Sequence, residues 1–360
     1  NGDGRPEIVM VSGEYIFGQG GRGKLRVVAG NGQPLSGAFP LQLPGYLHTA
    51  PTLFDVDGDG AQEIIVVTNY NSAFAETQEP SAVNIYKGDG SLLNRWLIQG
   101  QVLQAVAAGD IDKDGRPELV LVTEENFASF LSVYKADVAS MFKKQLPPAT
   151  GIGSFPVLAD LKGDNTLAIL LQIPASEVTI IEGLPVIQRV GDLYAWDYTG
   201  LPLAGFEAPK RIGKTHPAVT RLVDGSTAIF AFPYAYRYHP GQGVALLEGW
   251  DVVRDPETGL LLANRGYNVI CDFDGDGKKE VVSWKALDFL VGGSLISQDG
   301  ELDVRDLSGA RKPGWPQPAP YIPYGMAIGP LEGNNLAVLL TGFHPYVGDN
   351  SKIIYAWSAA

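Results

Sequence analysis

Asp55-Val56-Asp57-Gly58-Asp59-Gly60-Ala61-Gln62-Glu63 runs directly into the aliphatic stretch Ile64-Ile65-Val66-Val67. The same pattern, D-x-D-x-D-G-x-x-E, returns at residues 110–118 and 272–280, each time ahead of a short apolar run. A fourth copy, Asn1-Gly2-Asp3-Gly4-Arg5-Pro6-Glu7, opens the chain at the third position of the pattern. Four carboxylates in nine residues repel one another in a tight turn, so the arrangement calls for a cation. Hard oxygen donors at positions 1, 3 and 5, a backbone carbonyl at 7 and an acid at 9 suit Ca²⁺, which takes about 6 to 8 oxygens. Mg²⁺ tends to keep several waters, and Zn²⁺ would lack its usual Cys or His ligands here. The sixth position is Gly60, Gly115 or Gly277, a residue that permits the sharp turn. An EF-hand loop begins alike, but its bidentate Glu belongs at position 12, where this chain has Val66, Leu121 and Ser283.

The apolar runs after these loops recur along the whole chain. The residue preceding each run's first aliphatic is Glu7, Glu63, Glu118, Ala168, Ala228, Glu280 and Ala337, with spacings of 56, 55, 50, 60, 52 and 57. A second apolar segment follows each one, as in VNIYKGDG (83–90) and LDVRDLSG (302–309), and a third precedes six of them, as in TAPTLFDVD (49–57). A fourth, such as LLNRWLI (92–98) or RKPGWPQ (311–317), closes the unit. Four strands per repeat, A to D, repeated seven times, predict an all-β, seven-bladed β-propeller of four-stranded antiparallel blades with calcium-binding A–B loops. A β-helix has too short a coil for this period, and a sandwich would not repeat one pattern seven times. The blades are placed at residues 1–47, 48–102, 103–149, 150–212, 213–264, 265–322 and 323–360. The first and last are short of one strand each, so the chain reads as a segment of a longer polypeptide.

Composition agrees. The 44 Gly and 25 Pro of 360 residues carry no collagen-like period and point to many tight turns. Forty acids against 27 basic residues, a formal charge of −13, argue against a nucleic-acid partner. No apolar run is long enough for a membrane-spanning helix, and the single Cys271 allows no internal disulfide. Fourteen of the 40 acids lie in the four loops, and four bound Ca²⁺ would bring the formal charge to −5.

The D-x-D-x-D-G-x-x-E loops, together with Thr49-Ala50-Pro51 and Gly314-Trp315-Pro316, resemble FG-GAP/VCBS repeats, the blades of integrin α-like propellers. The resemblance covers essentially the whole chain. It implies a calcium-stabilised extracellular module, secreted or on a cell surface, for binding, adhesion or surface assembly, and no enzyme activity. By position it implies ligands at Asn1, Asp3 and Glu7; Asp55, Asp57, Asp59 and Glu63; Asp110, Asp112, Asp114 and Glu118; and Asp272, Asp274, Asp276 and Glu280. Carbonyls would come from Arg5, Ala61, Arg116 and Lys278. The departures are three degraded loops, at 160–168, 221–228 and 330–337, for which no ion is expected. In the first of these, Lys162 is expected to supply the positive charge itself.

Antiparallel alternation puts the A–B loops and C–D turns on one face and the B–C and D–A connections on the other. The second face has the longer segments, including 69–81, 174–192, 233–243 and 285–300. A protein or glycan ligand is expected there, with Tyr234, Tyr236, Tyr238 and His239 as the densest aromatic cluster. A carbohydrate-binding lectin is the alternative function, and a polysaccharide-degrading, lyase-like enzyme a weaker one. The four histidines fall in no metal-ligand spacing and no G-x-S-x-G occurs, so no catalytic residue is assigned. His216, beside Pro217, reads as packing.

Overall fold

The computed structural model describes residues 7–16, 20–30, 32–35, 38–45, 47, 49–69, 80–102, 104–137, 139–148, 155–261, 265–291, 294–297, 300–319, 322–332, 335–343 and 352–358. Within these, every regular element is a strand, and all strand pairs are antiparallel. They form seven sheets in chain order. Sheet I holds β1 (Glu7–Ile16), β2 (Gly20–Ala29) and β3 (Leu41–Pro44), and sheet II holds β4 (Thr52–Phe54), β5 (Glu63–Thr68), β6 (Ala82–Tyr86) and β7 (Leu92–Leu97). In sheet III, β8 (Gln101–Val102) and β9 (Ala107–Gly109) both pair with β10 (Glu118–Glu125), followed by β11 (Ala128–Lys135) and β12 (Ser140–Gln145). Sheet IV contains β13 (Val157–Ala159), β14 (Ala168–Ile181), β15 (Leu184–Trp196) and β16 (Lys210–Ile212). Sheet V contains β17 (Ala218–Arg221), β18 (Thr227–Ala231), β19 (Tyr234–His239) and β20 (Gly243–Leu246). Sheet VI contains β21 (Arg265–Cys271) and β22 (Glu280–Ala286), then, after an inserted hairpin of β23 (Asp288–Val291) and β24 (Ser294–Ser297), β25 (Gly300–Asp306) and β26 (Gln317–Ala319). Sheet VII contains β27 (Ile322–Glu332), β28 (Asn335–Phe343) and β29 (Lys352–Ser358).

Side chains on a strand alternate between its two faces, and here both faces of the second strand are buried. In β5, Ile64 and Val66 pack with Leu25 and Leu43 of sheet I, while Ile65 and Val67 pack with Leu119 and Leu121 of sheet III. In β10, Val120 and Val122 turn the other way, to Ile169 and Leu171 of sheet IV. Leu170 then meets Ile229 of sheet V, Phe230 meets Val281 of sheet VI, and Val282 and Trp284 meet Val338 and Leu340 of sheet VII. Each sheet is thus packed face to face on the next, which explains why the sequence shows continuous aliphatic runs instead of apolar–polar alternation.

First strands line up as well. Phe155 stacks on His216 at a ring separation of 4.1 Å, and His216 lies 5.7 Å from Tyr267, linking sheets IV, V and VI. Burial holds His216 neutral down to about 4, and its Nδ1 is buried without a hydrogen bond. A histidine whose pKa falls on folding binds its proton first in the unfolded chain. Stability is therefore full above about pH 6.5 and declines as the pH falls toward about 4, by about 3 kcal/mol. Urea titrations at stepped pH should show this decline, and His216→Phe, which keeps the ring stack, should flatten it.

Three connections expected as loops contain strands: 174–192, 233–243, which holds β19, and 285–300, which holds β23 and β24. Residues 174–191 continue β14 and β15 as one long hairpin, in register from Ile169↔Trp196 to Ile181↔Leu184. Its β15 arm pairs with β23, through Val186↔Val291, Ile187↔Leu290 and Gln188↔Phe289, so the inserted hairpin of sheet VI joins sheet IV. Gln188 is buried and completes the tie, donating from Nε2 to Leu261 O at 2.9 Å and accepting from Leu261 N at 2.8 Å.

Candidate metal centre

The three intact loops join first and second strands: β4 to β5, β9 to β10 and β21 to β22. All three fold on one set of hydrogen bonds. The amide of the sixth residue, Gly60, Gly115 or Gly277, donates to Oδ2 of the first aspartate, Asp55, Asp110 or Asp272, at 3.0 Å. Those glycines have φ of +87°, +83° and +84°, the left-handed region that side chains disfavour. The amides of Asp59, Asp114 and Asp276 donate to Oδ1 of Asp57, Asp112 and Asp274 at 3.1 to 3.3 Å. Ala61, Arg116 and Lys278 donate their N–H to Oδ1 of Asp59, Asp114 and Asp276 at 2.8 to 2.9 Å. At the ninth position Glu63, Glu118 and Glu280 are 1, 0 and 0 % exposed, and Oε2 of each accepts from Val56, Ile111 or Phe273 N at 2.8 to 2.9 Å.

Except at Asp55, whose Oδ1 also accepts from Gly58 N at 2.7 Å, one oxygen of each carboxylate is bound to backbone and the other is left over for a cation. One oxygen from each of Asp55, Asp57 and Glu63 lies within 4.8 Å of the others, as for Asp110, Asp112 and Glu118, and for Asp272, Asp274 and Asp276. Asp110 Oδ1, Glu118 Oε1 and Asp272 Oδ1 are buried and make no hydrogen bond. Burial, with Asp112 and Asp114 adding repulsion, pushes the Glu118 carboxyl up to about 7. A divalent cation bound by these oxygens would relieve both costs, so the donor set fits a calcium-type ion.

A lysine ammonium sits against the same oxygens in every loop. Lys87 donates to Asp57 Oδ2 at 2.8 Å and Asp59 Oδ2 at 3.3 Å, and Lys135 contacts Asp112 Oδ2 at 3.4 Å and also Asp114 Oδ2. Lys312 reaches Asp274 Oδ2 at 2.6 Å, Asp276 Oδ2 at 3.4 Å and Glu280 Oε1 at 3.2 Å. Lys87 and Lys135 lie at the ends of third strands, whereas Lys312 approaches the fourth strand of sheet VI, so two different positions converge on one role. Their hydrogen bonds hold Asp57 and Asp114 below the usual carboxylate range. These lysines would have to swing away for an ion to enter. Lys87→Met and Lys135→Met should therefore each tighten calcium binding about two- to fivefold, as calorimetric titration would read.

Asn1, Asp3 and Arg5 lie outside the described residues, while Glu7 opens β1. In the degraded loop of sheet IV, Lys162 adds its charge only at Asp164, and the cation against Asp160 comes from another sheet. Arg221 of sheet V reaches across, its Nη2 lying 3.3 Å from Asp160 O and 3.4 Å from Asp160 Oδ2, with Nη1 donating to Leu161 O at 3.4 Å. Its planar fork spans carbonyl and carboxylate together, which a single ammonium on a local side chain does not do. The expected aromatic patch also needs correction. Tyr234, Tyr236, Tyr238 and His239 form the strand β19, and Tyr236 and Tyr238 are only 6 and 1 % exposed. Tyr236 donates its hydroxyl to Arg211 O, and Tyr234 stacks on it and accepts from Arg254 Nη2 at 3.1 Å. Tyr236 and Tyr238 are therefore core packing, while Tyr234 and His239 are half-buried.

No helix among the described residues is long and apolar enough to cross a membrane. Residues 55–121, which include two of the intact loops, match the FG-GAP-like repeat. No curated protein matches the chain. Among solved structures, BamB from Moraxella catarrhalis aligns at 8 % identity over 98 % of each chain, with a TM-score of 0.40. BBS1N, crystallised in complex with ARL6DN, aligns at 12 % identity over 93 % of this chain and 81 % of its own, with a TM-score of 0.43. Trypanosoma rangeli sialidase aligns at 14 % identity over 96 % of this chain and 59 % of its own, with a TM-score of 0.35.

Proposed function

We propose that the FG-GAP-like repeat at residues 55–121 belongs to a seven-bladed propeller, with sheets I to VII as its blades and calcium in the loops of sheets II, III and VI. The chain then acts outside the cell as a non-catalytic module for binding, adhesion or surface assembly. The observation that carries the metal reading is the threefold recurrence of a carboxylate cluster around a buried glutamate with a lysine standing against it. Sites of this kind in extracellular modules bind with Kd of about 10⁻⁴ to 10⁻³ M, which suits the calcium outside cells better than that inside. A protein or glycan partner is assigned to the face of the B–C connections, where the long hairpin leaves Val178, Ile180 and Leu184 exposed. Calorimetric titration of the chelated protein with calcium should give one ion per intact loop. Asp57→Asn, Asp112→Asn and Asp274→Asn should each remove one. No heat of binding at millimolar calcium would overturn the metal assignment.

A further inference from the structure

The faces of sheets V and VI do not close fully on each other. A cavity of about 420 Å³ lies between them, in the size range of small-ligand pockets. Pairing places Lys285 opposite Glu301, Ser283 opposite Asp303 and Val281 opposite Arg305, so alternation turns these charged side chains to one face of sheet VI. The corresponding side chains in sheets II and III are neutral, Asn84 opposite Val66 and Ser132 opposite Leu121.

Asp303 is 2 % exposed and takes three cations. Arg305 Nε donates to its Oδ2 at 3.0 Å, Arg311 Nε to its Oδ1 at 2.9 Å and Arg311 Nη2 to its Oδ2 at 3.2 Å, while Lys285 Nζ lies 3.3 Å away. The remaining carboxylates on the pocket are nearer water: Glu301, with a side chain 42 % exposed, pairs with Lys285, and Asp251 is exposed at the rim. Arg311, with a side chain 42 % exposed, is as open to water as Glu301, and the lining as a whole sets three cations against three acids. Arg305 Nη2 and Arg311 Nη1 have no hydrogen-bond partner among the described residues. Apolar walls come from Phe232, Trp250 and Leu287. Two guanidinium edges without a partner among the described residues thus stand on a recess whose other walls are partly hydrophobic.

We propose that this cleft binds a small organic anion, a carboxylate carried on a ring. The two guanidiniums take the carboxylate through their unused N–H groups, and the apolar walls take the ring. The site is separate from the calcium loops, so its failure would leave the metal reading intact. Saturation-transfer NMR and calorimetry on calcium-loaded protein, with sodium glucuronate, sodium benzoate and neutral glucose, test it. Saturable binding of glucuronate alone identifies an acidic sugar, of benzoate alone an aromatic carboxylate, and of both a site that reads the charge. Glucose should not bind, and added salt should weaken the anions. Arg311→Gln keeps Asp303 paired with Arg305 and Lys285 and should weaken binding about tenfold or more. Should that variant fold poorly, Val253→Glu puts a negative charge on an exposed lining residue and should weaken binding in the same direction. Absence of saturable anion binding, or affinity unchanged in a folded Arg311→Gln protein, would overturn the proposal.

Discussion

Calcium at about 10 mM should raise the unfolding free energy of the chelated protein by about 4 to 8 kcal/mol. Each intact loop contributes RT ln(1 + [Ca²⁺]/Kd), which at Kd of about 10⁻⁴ to 10⁻³ M is about 1.4 to 2.7 kcal/mol. For a chain of 360 residues this corresponds to a rise in Tm of about 5 to 10 °C. Differential scanning calorimetry in EDTA and then in calcium reads the shift. A protein carrying Asp57→Asn, Asp112→Asn and Asp274→Asn together should show almost none of it, and magnesium at the same concentration should give less than calcium. Equal Tm in EDTA and calcium would remove the ion from the stability of this fold.

The second large effect is expected at a glycine contact between sheets V and VI. Gly249 lies at φ +82°, and a Cβ there would collide with the Ser308 carbonyl oxygen; Gly309, at φ +93°, faces Gly249 O in return. The same device recurs between sheets IV and V, where Gly205 at φ +83° meets Gly243. Gly249→Ala combines a left-handed backbone penalty with overpacking against a main-chain oxygen, about 2 to 5 kcal/mol in all. Gly259, at φ +73° with nothing within 4 Å of its Cβ position, isolates the backbone part. Gly259→Ala should cost only about 1 to 2 kcal/mol. Equal destabilisation of the two variants in urea would show that the close approach of the turns contributes nothing.

How much of this was legible in the sequence depended on how local the cause was. The loop at 55–63 announces itself because its carboxylates, glycine and strand entry are contiguous, and the strand after it is readable because both faces are buried. The lysines against the loops were missed because Lys87 and Lys135 follow their aspartates by more than twenty residues. The local signal is a lysine closing the third strand of two repeats that carry the aspartate loop. Tyr234 to Tyr238 misled because aromatic density alone does not say which way side chains turn. Their strand lies between two packed sheets, so alternation buries Tyr236 and Tyr238. The stretch 174–192 has strand-like alternation, Val178, Ile180 and Ile187 among it, but its partner at 288–291 lies about a hundred residues on. A pairing at that distance, between elements that are not neighbours in the repeat, has no local trace.

That pairing also bears on how such a chain can change over generations. Stacked repeats that touch only their neighbours tolerate duplication or loss of one unit, because each interface resembles the next. Here sheet IV reaches past sheet V to hold β23 of sheet VI, with Gln188 fastened to the backbone of Leu261. Deleting the unit of sheet V would leave Val186 to Gln188 without their register to Phe289 to Val291, and inserting a unit would stretch the two apart. The hairpin therefore fixes the number of repeats between these points, and sheets IV to VI would be inherited, and would be expected to unfold, as a single block.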